Sequence, residues 1–157
     1  MLDSGGPSVK FGKTFEDNFN KRLTKSDLAE IARLDSLGLE TMKASCPGYF
    51  YDRSRAIVTA QSLPDNIHGQ QGVFKFTSYS YFDGSEMMIK NLRQTTVPVF
   101  LIQGREDPMG ESTAAEIKEV LPQTVSHFIE KCGHLPWLEN PPQVTAFFSL
   151  LRGALNK

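Results

Sequence analysis

A chain of 157 residues is long enough to bury one hydrophobic core. Its 17 basic and 18 acidic side chains nearly cancel, which removes any electrostatic case for a nucleic-acid or anionic-membrane partner. The longest apolar runs reach about six residues, far below the roughly 20 needed to cross a bilayer, so no membrane partner is expected.

The amino terminus, Met1-Leu2-Asp3-Ser4-Gly5-Gly6, has neither a basic region nor an apolar core and does not read as a signal peptide. Leu2-Asp3-Ser4-Gly5-Gly6-Pro7 reads as the last residues of a strand followed by a turn, or as an amino-terminal tail. Residues 14–39 carry a helical pattern. Phe15, Phe19 and Leu23 recur at four-residue steps, facing a core. Asp27 with Glu30 predicts an amino-terminal cap, Leu28, Ile31 and Ala32 form a stripe behind it, and Gly38 ends the helix. Pro47-Gly48 predicts a break. Tyr49-Phe50-Tyr51-Asp52 then opens a helix over about 53–63, which Pro64-Asp65-Asn66 stops. Residues 69–72 read as a turn. Residues 73–82, rich in aromatics and hydroxyls, read as a loop or an irregular lid. Asp83-Gly84-Ser85 starts a helix with Met88, Ile89 and Leu92 on its apolar side. Cys46 and Cys132 stand far apart without a Cys-x-x-Cys. Neither a disulfide framework nor a metal site is indicated, no cofactor is expected, and a reducing cytoplasm is the expected compartment.

The most informative stretch is 97–137. Val97-Pro98-Val99-Phe100-Leu101-Ile102 is apolar at nearly every position, the pattern of a parallel strand covered on both faces. It stops at Gly104-Arg105-Glu106-Asp107-Pro108. Thr113 with Glu116 predicts a capping box, and Pro122 ends that helix. A second strand over 125–130 stops at Lys131-Cys132-Gly133-His134. The connection is long enough for a right-handed helical crossover, so the two strands are expected to run parallel and finish on one edge. Asp107 and His134 then meet where open α/β sheets place ligands. There an acid can fix the imidazole tautomer and stabilise the imidazolium. A last helix starts near Pro142, with Val144, Phe147, Phe148, Leu151 and Leu155 on its docking face. Low-complexity linkers and internal repeats are absent, so one structural unit is expected, with 1–96 as helical cap and 97–157 as sheet portion.

Gly104-x-x-Asp107 after an apolar strand, then Gly133-His134 with Glu139-Asn140-Pro141 behind it, resembles the closing section of an α/β-hydrolase, whose triad runs in the order Ser, Asp, His. The resemblance covers about 97–151 well and the preceding region loosely. It implies an α/β class, namely a partial α/β-hydrolase fold: a short parallel sheet remnant with a helical lid. It also implies Asp107 as catalytic acid and His134 as base. The nucleophile elbow, Gly-x-Ser-x-Gly, occurs nowhere in the sequence. Ser112 comes nearest, after Gly110 and before Ala114, but lies behind Asp107 and reads as a helix start. Cys132, adjacent to its own base, reads as packing. The chain thus corresponds to the second half of such a hydrolase and is expected to be inactive alone.

The lid length and the turn at 2–7 look like those of proline iminopeptidase-like enzymes, which release an amino-terminal residue from short peptides. That subgroup often sets a second acid beside the catalytic aspartate. Pro108 occupies that place here, and Glu106 is expected to point elsewhere. A short-peptide or other small-molecule substrate, cleaved by aminopeptidase, esterase or amidase chemistry, is what the resemblance implies. The alternative is a binding or assembly module without chemistry, homodimeric through an exposed sheet edge.

Overall fold

The computed structural model describes residues 6–7, 11–39, 41–64 and 85–156. The expected turn at 69–72 and aromatic segment at 73–82 lie outside them, as does most of the turn at 2–7. In chain order the elements are α1 (Phe11–Asn20), α2 (Lys25–Ser36), α3 (Met42–Tyr49), α4 (Arg53–Ser62), α5 (Ser85–Arg93), β1 (Val99–Gly104), α6 (Glu111–Val120), β2 (Thr124–Ile129) and α7 (Pro141–Leu155). This is an α/β arrangement: helices flank a small parallel sheet, which among the described residues has two strands. Among the described residues, no helix is long and apolar enough to cross a membrane.

The strands pair in parallel as expected, Val99 against Thr124 through Gly104 against Ile129, so both finish on one edge. The first begins two residues later than the apolar run suggested. Pro98 has no N–H for a ladder and Val97 is exposed, while Gln103 and Gly104 continue the strand, buried. Alternation along β1 sends neighbouring side chains to opposite faces. Leu101 packs with Ala114, Ile117, Val120 and Leu121, against which Ile89 and Leu92 of α5 also rest. Ile102 packs with Ile129, Cys132 and Phe147. The strand is therefore covered on both faces, which is why its run reads as continuously apolar.

Several local expectations are corrected. The cap of α2 is Thr24, not Asp27: the Thr24 hydroxyl accepts from the Asp27 N–H at 3.2 Å while the Asp27 carboxylate takes the Thr24 N–H at 2.7 Å. Glu30 instead pairs with Arg33. Gly38 does end α2, at φ +66°, with Leu39 N–H donating to Leu34 O and Gly38 N–H to Asp35 O. The stripe behind the cap docks only loosely against α3: Ile31 is partly buried, Leu28 is exposed, and α2 buries no residue fully. Pro47 and Gly48 sit inside α3 rather than breaking it. In so short a helix Pro47 forfeits one intrahelical bond, and the chain leaves the helix two residues later at Tyr49. Helix α6 starts at Glu111 behind Gly110 (φ +76°), and the Thr113 hydroxyl donates to Met109 O instead of capping. Phe148 and Leu155 are exposed, and α7 docks through Phe147 with Ala146, Leu150 and Leu151.

Candidate active site

The carboxyl end of β1 carries Asp107. Gln103, buried, donates to Gly110 O at 3.2 Å and so ties the strand end to the start of α6. Between them the chain turns, Asp107 N–H donating to Gly104 O and Gly110 N–H to Asp107 O. Asp107 points inward with a side chain that solvent does not reach, and its Oδ1 accepts the Met109 N–H at 2.8 Å. An Asx turn of this kind is what Asp before proline favours. The carboxylate is thus aimed before any partner is considered.

The carboxyl end of β2 leads to His134. Lys131 takes a left-handed φ of 53°, which turns Cys132-Gly133-His134 back across the end of β1. Glu106 holds that turn from both sides: its N–H donates to Cys132 O at 3.0 Å, and its carboxylate accepts the Cys132 N–H at 2.9 Å. His134 Nδ1 lies 3.1 and 3.2 Å from the two Asp107 oxygens. When Asp107 is ionised its oxygens can only accept, and Nδ1 is then the donor to them. Arg105, outside this turn, pairs with Glu111 and Glu130 over the Phe128 ring and fastens the two strand ends at the surface.

Three backbone layers stack here because two positions lack side chains. A Cβ on Gly104 would lie 2.1 Å from Gly133 O, and one on Gly133 would lie 2.2 Å from Tyr49 O. Only glycine allows so close an approach. The third layer is the end of α3, whose Tyr49 O accepts the His134 N–H at 2.7 Å. The Tyr49 ring lies 5.6 Å from the His134 ring and leads into an aromatic group with Phe19 and Phe15 of α1. Burial pushes the Tyr49 phenol above its ordinary range. Of the three aromatics expected to anchor a helix start, Phe50 is core with Cys46 and Ala56, Tyr51 is exposed, and Tyr49 alone reaches the histidine.

Asp107 and His134 are brought together as the sequence suggested. Two further residues were not foreseen at this site. Arg22, in the turn after α1, donates to Phe50 O at 3.2 Å. Burial holds its guanidinium below the usual value against the opposing charges of Asp107, Glu106 and Glu139. Only its place beside Leu23, at the end of the four-residue apolar series, hinted that it faces inward. Glu139, read only as part of a motif, is buried. Its Oε1 accepts the N–H groups of both Tyr51 and Gly133 at 2.8 Å. Burial pushes its carboxyl above the carboxylate range, against the pull of the backbone N–H groups that face it.

Ser112 stands exposed in the first turn of α6, the helix start that its surroundings suggested. Cys132 is buried among Ile102, Ile129 and Phe147, where a thiol serves packing. Among the described residues, no group of three or more His, Cys, Asp or Glu side chains is placed to hold a metal ion. No protein-family model matches the chain, and no curated protein matches it significantly.

Proposed function

We propose that Asp107 and His134 are the acid and base of a serine-hydrolase triad of the α/β-hydrolase kind, peptidase- or esterase-like in the manner of proline iminopeptidases. One observation carries the reading: a solvent-excluded carboxylate meets Nδ1 of a histidine at the shared edge of two parallel strands. In this mechanism the Nε2 of His134 takes the proton of a serine hydroxyl as that oxygen attacks an ester or amide carbonyl. Asp107 keeps the proton on Nδ1 and stabilises the imidazolium. The proton then passes to the leaving group, and water repeats the cycle on the acyl-enzyme. Residues 1–96 serve as cap and 97–157 as the sheet portion of one unit.

This sequence contains no Gly-x-Ser-x-Gly. The chain alone is therefore expected to show no His134-dependent hydrolysis of a nitrophenyl ester and no serine labelling by a fluorophosphonate. Turnover abolished by His134→Ala would overturn the missing-nucleophile part of the reading. The acid–base part is tested in a protein that joins this chain to an upstream reading frame encoding such an elbow. His134→Ala and Asp107→Asn should each lower its kcat by about 10³-fold or more. An active joined enzyme indifferent to both substitutions would refute the assignment.

A second reading, an assembly module, is favoured by the surface. Among the described residues each strand is paired on one side, and Val97, Val125, Trp137, Phe148 and Leu155 are exposed. Unpaired strand edges beside apolar side chains invite self-association. The expected product is a homodimer formed by strand pairing or element exchange. A light-scattering mass of one chain at micromolar concentration would count against it.

A further inference from the structure

We infer that Glu139 is a positioning residue: its single oxygen Oε1, shared by the N–H groups of Gly133 and Tyr51, locks the His134 turn to the cap and so sets the imidazole against Asp107. As a claim about catalysis this rests on the hydrolase reading. As a claim about the Asp107–His134 contact it stands by itself.

The two donors are informative by position. Gly133 is the residue before His134, and Tyr51 is two residues beyond Tyr49, whose carbonyl takes the His134 N–H. The peptides on either side of the histidine's own N–H bond are therefore held by one atom. Gly133 has no room for a side chain of its own, because a single carbon there would overlap Tyr49 O and crowd Phe50 Cα. The acceptor has to come from elsewhere in the chain. Glu139, five residues after His134 and just ahead of α7, supplies it from a position that is 1 % exposed.

The other carboxyl oxygen identifies what the group is there for. Oε2 is buried and makes no hydrogen bond of good geometry, although the Asp52 N–H also faces the carboxyl. Burying a carboxyl with one oxygen unsatisfied is costly, and an apolar residue would fill the space more favourably. What an apolar residue could not do is accept two N–H groups, one buried and one part-buried, whose loss would free the turn. Neighbouring main-chain and side-chain ties repeat the pattern on the same side. Arg55 Nε donates to Leu138 O at 2.8 Å, and Asn140 Nδ2 donates to Asp52 at 2.8 Å. These bracket Glu139 in sequence and hold it to the same stretch of the cap.

The experiment is ¹H–¹⁵N NMR of the full chain and its Glu139→Gln, Glu139→Asp and Glu139→Ala forms, reading the His134 Nδ1 proton and the Tyr51 and Gly133 amides. The unaltered chain should show a slowly exchanging Nδ1 proton. Glutamine keeps a carbonyl oxygen in the Oε1 place and should retain that signal. Aspartate, one methylene short, and alanine should lose it while still folded, with both amides exchanging about tenfold faster or more. A folded Asp or Ala form that keeps the Nδ1 signal overturns the inference, as does its loss in the Gln form. If Ala does not fold, Asp decides. In the unaltered chain itself, two amides sharing one acceptor must open together, and protection differing by more than about tenfold also refutes the clasp. None of these signals depends on turnover, so their failure and the absence of hydrolysis are separate results.

Discussion

Replacing Gly133 by alanine should be among the most damaging single changes the chain can suffer. The added Cβ would stand 2.2 Å from Tyr49 O, 2.8 Å from Phe50 Cα and 2.8 Å from Tyr51 N. All three are main-chain atoms, so no rotamer change relieves the overlap. A carbon and a carbonyl oxygen need roughly a further 1 Å, which the His134 turn and the end of α3 must provide by parting. That separation stretches the His134 N–H bond to Tyr49 O, now 2.7 Å, beyond hydrogen-bonding range. It also pulls Gly133 and Tyr51 apart across their shared Glu139 oxygen. Each buried group left unpaired costs about 1–3 kcal/mol, so the seam as a whole should lose about 3–5 kcal/mol. Against a typical total of about 5–15 kcal/mol this is a large fraction. Urea unfolding with linear extrapolation measures it, with the slope checked for two-state behaviour. A Gly133→Ala chain within about 1 kcal/mol of the original would refute the three-layer account of the site.

Gly153, inside α7 with nothing within 4 Å of an added Cβ, gives the opposite sign: Gly153→Ala should stabilise by about 0.5–1 kcal/mol in the same urea experiment. Asp27→Ala should cost about 1 kcal/mol through the lost bonds to Thr24 and Arg53, whereas Glu30→Ala should leave unfolding nearly unchanged; a Glu30→Ala cost as large as that of Asp27→Ala would restore the cap first expected from sequence. The Arg53 guanidinium holds the Asp27 carboxyl well below its ordinary range, so a depressed folded-state pKa makes its contribution present above about pH 4 and lost as the pH falls further. The stability gap between the chain and Asp27→Asn should therefore shrink below about pH 4 in acid titrations of unfolding. Cys132, at 0 % exposure, should not react with a disulfide reagent in the folded chain but should react in denaturant; native labelling would reopen a thiol chemistry at this edge.

What could be read from the sequence was whatever depends on short-range pattern. The run from Val97 to Ile102 is apolar because Leu101 and Ile102 enter different cores, and that double burial shows in one dimension. The spacing that allows a crossover helix was likewise enough to place Asp107 and His134 on one edge. Three things were hidden. The α2 cap was misread because Asp27 serves as its third residue and reciprocates with Thr24, while Glu30 offered the same one-dimensional pattern. Pro47 predicts a break, yet it sits inside α3, because a proline does not reveal that its helix ends two residues later anyway. Glu139 and Arg22 were missed as site residues because their partners, Tyr51 and Phe50, belong to a segment that only tertiary packing brings near.

The same packing bears on how a substrate would reach His134. A two-stranded parallel sheet has little stiffness of its own. Here its carboxyl edge is braced by bonds running to the helical segment: His134 N–H to Tyr49 O, Tyr51 N–H to Glu139, Arg55 to Leu138 O, Asn140 to Asp52, and Asn18 to Pro108 O. Helices that swung away along this seam would break all of them together and part His134 from Asp107. Access and precision would then exclude one another. The arrangement avoids this only if α3 and the start of α4 stay fixed during any binding event, with approach to the imidazole coming from another side of the ring. On the hydrolase reading, α1, α3 and the start of α4 would act on Asp107 and His134 as a wall that aims the pair, which is a different physical task from covering a pocket.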